Sequence, residues 1–263
     1  PGHNPGFLDA LFTSTSAVCV TGLAVMDTGT TFSTFGQFVL LILIQAGGLG
    51  IMTLAVFLAL VIRNRVSVRE QFTALSALDA GRSANLHTLV RQILKFTFII
   101  ESIGAALIFA WHQWVIPRPG LNDWLDNLWY AVFHAVSAFC NAGFSTNADS
   151  LMAWRGDPVI NIVFMLLIIL GGIGFIVIGE TRSWLADRLF HKKKTWLSLH
   201  SRLVLGTTLV LIIGGAVLFF CMEQGNTLKQ AGPGETVLAS LFQSVTTRTA
   251  GFNSVDFAAL TPA

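Results

Sequence analysis

The chain has 263 residues, of which 53% are hydrophobic and only 11% are charged, and its mean hydropathy is +0.68. Since a soluble domain carries about 25% charged residues, this composition indicates a membrane protein and excludes an ordinary soluble domain. The net charge of +2 gives no reason to expect a nucleic-acid partner. Three scattered cysteines, Cys19, Cys140 and Cys221, predict neither a disulfide framework nor a zinc site. The sequence does not begin with Met and has no signal-peptide pattern, so we interpret it as part of a longer chain.

The first predicted element is a short helix that ends in a glycine-centred loop, with the sequence F-T-S-T-S-A-V-C-V-T-G-L over Phe12–Leu23. Similar sequences return at Phe133–Phe144, F-H-A-V-S-A-F-C-N-A-G-F, and at Phe242–Phe252, F-Q-S-V-T-T-R-T-A-G-F. The glycine follows the first phenylalanine by ten residues in the first two copies and by nine in the third. A period of roughly a hundred residues is too long for a solenoid and predicts duplicated units around one shared site.

Four stretches with at most one charge are long enough to cross a bilayer as helices, for which about 20 apolar residues suffice. They are Phe38–Ile62, Phe96–Ile116, Pro158–Gly179 and Leu203–Met222. The first and third contain clusters of small residues, at Ala46–Gly50 and Gly171–Gly174. We predict that these glycines let another helix approach closely or bend the span.

Glu101 interrupts the second predicted span. A carboxylate inside a span is a functional candidate by default, but this one lies within about two turns of the basic end of the helix. Two placements therefore stay open, one at the membrane interface and one hydrogen-bonded to a neighbouring helix. We do not predict that Glu101 is an ion ligand.

Charge places the second repeat on one side of the membrane. Twelve of the sixteen Lys and Arg residues lie in two segments, Arg63–Lys95 and Arg182–Arg202, and cytoplasmic loops collect such residues. The two spans between these segments bring both to the same side. The second repeat must then enter and leave the membrane from the outer face. The run Lys192–Lys194 is interpreted as an anchor at the lipid headgroups.

The chemistry of the second repeat agrees with such a re-entrant segment. Its apolar helical part, Leu128–Phe139, has about 12 residues and is too short to cross. The irregular backbone of Asn141–Ser145 that follows is tolerated at membrane depth only where protein buries it or water lines it. A ring of such segments makes a pore whose carbonyl oxygens replace the hydration shell of an ion. Glycine suits the turn because it accepts positive φ, and the carbonyl end of the helix favours a cation.

Two other functional classes were weighed against a channel-like pore. An intramembrane enzyme is not expected, because the sequence has none of the usual metalloprotease, aspartyl or serine protease motifs. An alternating-access cation symporter with broken helices also places irregular backbone at membrane depth. It predicts inverted repeats, whereas the three repeats here are expected to enter from one side.

Five motifs distributed over the chain carry a family resemblance. They are L-F-T-S-T-S-A-V-C-V-T-G-L, D-T-G at Asp27–Gly29, I-Q-A-G-G-L-G-I-M-T at Ile44–Thr53, F-H-A-V-S-A-F-C-N-A-G-F, and R-T-A-G-F-N-S-V-D at Arg248–Asp256. The sequence resembles the ion-translocating subunit of the bacterial Ktr/Trk potassium uptake systems. The Ktr branch is the closer one, given the motif I-Q-A-G-G-L-G-I-M-T and the short Arg63–Lys95 connection.

The resemblance implies an all-α membrane protein built from span, pore helix, filter loop and span units around a potassium-channel-like pore. The family has four such units, whereas this sequence would contain about four spans and three re-entrant loops. The units are expected at residues 1–63, 64–187 and 188–263, with the gating loop of the family outside the sequence. The selectivity filter, which would bind K⁺ through backbone carbonyls, is implied at Val20, Thr21, Gly22, Asn141, Ala142, Gly143, Thr249, Ala250 and Gly251.

Further expectations concern the surroundings of the filter and the partners. We expect Cys19 and Cys140 to pack behind the filter and Arg248 to brace the third loop against protein carboxylates or carbonyls. His134 is interpreted as a hydrogen-bonded interior histidine. The resemblance also implies K⁺ as the transported ion with a possible Na⁺ dependence and no cofactor in this chain. It further implies a homodimer in the bilayer of the bacterial inner membrane, and a cytoplasmic nucleotide-binding ring of the RCK/KTN type as regulator.

Overall fold

A computed structural model describes residues 6–63, 86–116, 123–191 and 196–261 of the chain. These residues form helices and loops and include no β-strand. Residues 64–85 of the expected Arg63–Lys95 connection and the anchor Lys192–Lys194 lie outside the described residues. The helices are α1 Phe7–Val18, α2 Thr28–Thr31, α3 Thr34–Arg63, α4 Leu86–Trp114, α5 Trp124–Phe139, α6 Pro158–Ile173, α7 Phe175–Ala186, α8 Leu199–Glu223 and α9 Pro233–Thr249.

The predicted spans correspond to the long helices of this architecture. Among the described residues, two helices are long and apolar enough to cross a membrane, Val90–Trp114 and Leu199–Glu223. A third candidate is the bent pair Pro158–Ile173 and Phe175–Leu189, if it is counted as one span. The span expected at Phe38–Ile62 lies within the 30 residues of α3. The all-α membrane fold is therefore confirmed.

The third predicted span is not a single straight helix. The glycine cluster of Pro158–Gly179 is expected either to pack against another helix or to bend the span. In the structure α6 ends at Ile173 and α7 begins at Phe175. The residue between them, Gly174, has φ 86° and ψ 150°, a conformation essentially restricted to glycine. The glycine cluster therefore breaks this helix at its last member.

The helices divide into two compact units that cut across the three sequence repeats. The first consists of Pro1–Gly48, Phe98–Gly172 and Val210–Ala263, and the second of Leu49–Thr97 and Ile173–Leu209. All three repeats of the glycine loop belong to the first unit. Each compact unit thus draws its helices from more than one repeat.

The short helix α5 is the most buried element of the first unit. It begins after Asp123, whose Oδ1 accepts a hydrogen bond from Leu125 N, and ten of its 16 residues are buried. The equivalent helix α1 buries only Thr13, Ser16 and Ala17. The repeat that most resembles a span by composition is therefore largely buried in the protein, although Trp124, Leu125 and Leu128 at its beginning are exposed.

The second unit is held by polar and cation–π contacts. The Glu180 carboxylate accepts hydrogen bonds from Ser198 Oγ and Ser201 Oγ, both at 2.6 Å. The Arg182 guanidinium lies 5.5 Å from the centre of the Phe96 ring. These contacts join α7 to the beginning of α8 and to α4.

Candidate functional site

The three repeats share one backbone path at the end of each short helix. We define the glycine loops as residues 19–22, 140–143 and 248–251. In each loop, an amide reaches back five residues to a helix carbonyl. The bonds run from Thr21 N to Ser16 O at 2.9 Å, from Ala142 N to Ser137 O at 2.8 Å and from Gly251 N to Thr246 O at 3.2 Å.

The glycine of each loop adopts a backbone conformation that other residues rarely reach. The φ angle is 76° at Gly22, 70° at Gly143 and 82° at Gly251. Since an L side chain at such a φ is strained, the repeated glycine is required by the path of the chain. The expected reason for glycine at these positions is confirmed.

The third loop differs from the other two by one residue. Val20 and Asn141 have positive φ angles of 55° and 59°, and each lies two residues before its glycine. At the equivalent position Thr249 is still the last residue of α9. The nine-residue spacing in the third repeat therefore removes one left-handed residue, and the helix continues closer to the glycine.

The glycine of the first loop lies close to the second loop, and the glycine of the second loop lies close to the third. A β-carbon on Gly22 would lie 2.6 Å from the carbonyl oxygen of Ala142. A β-carbon on Gly143 would overlap the carbonyl oxygen of Ala250 and lie 3.2 Å from the Cα of Gly251. In both neighbouring pairs, the carbonyl of the residue before one glycine points at the glycine of the preceding loop. The structure thus places each of the three glycine loops, where the sequence predicts the filter, next to the loop of a neighbouring repeat.

The carbonyls at this meeting point receive no hydrogen bond from the part of the chain that the structure describes. Among the bonds formed by the described residues, none is donated to the carbonyl oxygens of Thr21, Ala142 or Ala250. Ala142 and Ala250 are 0% and 2% exposed. Because buried carbonyls are almost always paired, the carbonyls of the two buried residues, Ala142 and Ala250, make this meeting point a candidate site for a bound cation.

A hydroxyl group of each short helix holds the residue that follows the glycine, a feature that sequence reasoning missed. Ser137 Oγ donates to Phe144 O at 2.8 Å, and Thr246 Oγ1 donates to Phe252 O at 2.8 Å. In the first repeat the direction is reversed, since Ser16 Oγ accepts from Leu23 N at 3.0 Å. The signal was present, because a Ser or Thr follows the first phenylalanine of every repeat by four residues.

In the second and third repeats, another side chain of the short helix forms a hydrogen bond with a serine that follows the glycine loop. His134 Nδ1 lies 2.9 Å from Tyr130 O, and its Nε2 lies 2.9 Å from Ser145 Oγ. Because a carbonyl can only accept, Nδ1 carries the proton and Nε2 accepts from the serine hydroxyl. Gln243 Nε2 donates to Ser254 Oγ at 3.1 Å from the equivalent helix position. His134 is therefore a hydrogen-bonded interior histidine, as predicted.

One side-chain hydrogen bond joins two loops directly. Thr249 Oγ1 donates to Asn141 Oδ1 at 2.7 Å across 108 residues of sequence. The Asn141 amide also donates to Phe139 O at 3.2 Å. The side chain of Asn141 thus fastens the second loop to the end of α9.

The glycine pairs of the span helices support the loops by close packing, as predicted. A β-carbon on Gly47 would overlap Val18 O, and one on Gly171 would overlap Phe139 O. In both cases the carbonyl lies four residues before the filter glycine of the same repeat. The neighbouring glycine of each pair contacts the following repeat instead, Gly48 at Cys140 and Gly172 at Arg248.

The three expected support residues have different surroundings. Cys140 is 4% exposed and packs on Gly48, whereas Cys19 is an exposed thiol. Arg248 Nη2 would lie 3.4 Å from a β-carbon on Gly172. Its Nη1 is buried and meets no hydrogen-bond acceptor among the described residues, so the carboxylate or carbonyl expected as its partner is not found there.

Helices that span the membrane, short helices that end in glycine loops and converging carbonyls define the class as a multi-pass membrane protein with re-entrant loop repeats. A family model described as TrkH, cation transport protein, matches residues 2–263. The chain belongs to the TrkH family of cation transport proteins. Transport is how the family is described, which agrees with the expectation that the chain is not an enzyme.

Named relatives cover nearly all of this chain. Ktr system potassium uptake protein B from Vibrio alginolyticus is 43% identical over 96% of it, and the protein of the same name from Bacillus subtilis is 42% identical over 97%. The potassium/sodium uptake protein NtpJ from Enterococcus hirae is 38% identical over 97%. The match covers 54%, 55% and 54% of these relatives, so the chain spans about half their length.

A solved structure supports the fold. The crystal structure of the potassium transporter TrkH from Vibrio parahaemolyticus aligns with a TM-score of 0.61 at 18% identity, over 94% of this chain and 45% of that one. At this identity the likeness concerns the architecture of the helices.

Proposed function

We propose that this chain forms part of a potassium uptake protein, in which K⁺ passes through a filter of backbone carbonyls at the three glycine loops. The filter comprises Val20 to Gly22, Asn141 to Gly143 and Thr249 to Gly251. Ions lose their water at the carbonyl oxygens and move down their electrochemical gradient. The ion is bound by backbone, so the side chains of the filter serve mainly to hold the loops.

The observation that carries this proposal is the repeated relation between neighbouring loops. The carbonyls of Ala142 and Ala250, which accept no hydrogen bond among the described residues, point at Gly22 and Gly143, the glycines of the preceding loops. Carbonyl oxygens that converge from several segments replace the hydration shell of a cation. Each loop follows the carboxyl end of a helix, where the partial negative charge also favours a cation.

Potassium is the ion that the relatives suggest. Two of them are named potassium uptake proteins and a third is named a potassium/sodium uptake protein. We therefore propose K⁺ as the transported ion, with Na⁺ dependence as a property to be measured. Uptake of ⁸⁶Rb⁺ with and without external Na⁺ tests both.

The proposed repeat units, homodimer and regulatory ring are those that the resemblance to the Ktr/Trk family implies. We propose three repeat units at residues 1–63, 64–187 and 188–263, in a bacterial inner-membrane protein that acts as a homodimer. A cytoplasmic nucleotide-binding ring of the RCK/KTN type would regulate it through the basic segments. Mass measurement of the purified complex in detergent, with and without nucleotide, tests both the dimer and the ring.

Replacing a filter glycine tests the conduction proposal. In the complete protein, Gly143→Ser is expected to reduce the preference for K⁺ over Na⁺ by about tenfold or more, because the side chain displaces Ala250 O. The matched control is Gly214→Ser in α8, where a β-carbon would meet nothing within 4 Å. Unchanged selectivity in Gly143→Ser, with K⁺ uptake intact, would refute the filter assignment.

One observation favours a second candidate, an alternating-access cation symporter. The break at Gly174 divides the span of α6 and α7, and broken helices characterise such transporters. Flux that saturates together with a stoichiometric second substrate would support this candidate. Flux of a single ion that follows its own gradient supports the filter proposal.

A further inference from the structure

Glu101 lies in the middle of a helix long enough to cross the membrane and is only 5% exposed. The carboxylate therefore faces protein, which supports the second placement that the sequence left open, beside a neighbouring helix. Among the described residues, no Lys or Arg forms an ion pair with it. Burying an acid without a basic partner costs free energy. Acids inside membrane helices are therefore rare and usually mark functional positions.

The neighbours of Glu101 connect it to the second glycine loop. Cys140 Sγ lies 3.9 Å from Glu101 Oε1 across 39 residues of sequence, within hydrogen-bonding distance for sulfur. The Gln45 side chain also lies beside this carboxylate, although its Nε2 forms no hydrogen bond with the described residues. The surroundings of the acid are thus two uncharged side chains, one of which belongs to the loop.

Cys140 lies at the junction between α5 and the second glycine loop, where its side chain can affect the conformation of the loop. It caps the carboxyl end of α5 and directly precedes Asn141, which has a positive φ of 59°. On its other side it packs on Gly48, where a β-carbon would lie 2.6 Å from Sγ. Because Cys140 is held between the Glu101 carboxylate and Gly48, the orientation of the next peptide groups, those of Asn141 and Ala142, is restricted.

The third repeat has no such acid. Its first span, α8, carries no charged residue between Arg202 and Glu223, and Arg248 replaces the cysteine of the loop. The carboxylate behind the loop therefore distinguishes the second repeat from the third.

We propose that Glu101 is a positioning residue of the ion site, which acts through Cys140 on the carbonyls of Asn141 and Ala142. This inference rests on the proposed function of the glycine loops. Glu101 does not touch the ion. The Glu101 carboxylate positions the Cys140 thiol, and Cys140 in turn positions the backbone of Asn141 and Ala142.

The experiment is a double-mutant cycle in the complete protein, with ⁸⁶Rb⁺ uptake measured as KM and maximal rate. Glu101→Gln and Cys140→Ala are each expected to raise KM by about tenfold, with a smaller change in maximal rate. The double variant is expected to match the single variants, because residues that act through one contact are not additive. Glu180→Gln, in the second compact unit, is the matched control and should leave KM unchanged.

A second pair of variants keeps the inference testable if Glu101→Gln fails to accumulate in the membrane. Cys140→Ser retains a donor toward Glu101 and should keep KM near that of the wild type, whereas Cys140→Ala should not. Equal KM values for these two variants, or additive effects in the cycle, would overturn the role of Glu101. Absence of ⁸⁶Rb⁺ uptake by the wild-type protein would instead refute the proposed function.

Discussion

Gly48 of α3 lies directly against Cys140 at the end of α5, so close that a β-carbon on the glycine would lie 2.6 Å from the cysteine sulfur. The two residues belong to different repeats. Gly172 of α6 faces the next repeat in the same way, but less tightly, because its β-carbon would lie 3.4 Å from Arg248 Nη2. The second glycine of each pair thus faces the loop of the next repeat, while the first glycine packs on its own repeat.

Gly48→Ala is expected to push Cys140 and the second loop out of place. The added methyl group overpacks a filled site, which lowers the free energy of unfolding by about 1–3 kcal/mol. The thermal midpoint of the purified complete protein and the KM for ⁸⁶Rb⁺ measure the two effects.

Gly214→Ala is the control for this substitution, because its β-carbon would meet no atom within 4 Å. Equal thermal midpoints for the two alanine variants would contradict the packing role of Gly48.

Ser137→Ala removes the hydroxyl that donates to Phe144 O. Phe144 is 2% exposed, so its carbonyl is left buried without this donor, at a cost of about 1–3 kcal/mol in stability. We expect a lower thermal midpoint and a weaker preference for K⁺ over Na⁺.

Ser14→Ala is the matched variant, since Ser14 Oγ is exposed and bonds only to carbonyls of its own helix. It should leave both quantities unchanged. If Ser137→Ala behaves like Ser14→Ala, the hydroxyl contributes nothing to the loop.

Thr249→Val breaks the hydrogen bond between the second and third loops while nearly keeping the side-chain shape. Loss of one such bond corresponds to about 1 kcal/mol, or roughly fivefold in an equilibrium constant. The ratio of K⁺ to Na⁺ uptake is expected to fall by about that factor.

Thr247→Val provides the comparison, because Thr247 Oγ1 bonds to Gln243 O within α9. Its uptake ratio should stay at the wild-type value. An unchanged ratio in Thr249→Val would show that the loops keep their relative position without this bond.

The sequence determined the repeats, the positions of the long helices and the glycine at each turn. These features depend on local composition and spacing, such as the length of an apolar run or a phenylalanine followed at nine or ten residues by glycine. The packing role of the glycine pairs was also predictable, because small residues in a span are where other backbone approaches. The sequence left open whether the glycines of the third span pack or bend the helix, because composition alone does not distinguish a glycine that packs from Gly174, which breaks the helix.

Only the tertiary structure decided which residues meet. The bond from Thr249 to Asn141 joins residues 108 positions apart, and the contact from Cys140 to Glu101 joins residues 39 positions apart. No periodicity within one helix encodes such pairs, because each depends on how separate helices pack around α5. The same packing aims the carbonyls of Ala142 and Ala250 at the glycines of neighbouring loops, which turns three similar sequences into one site.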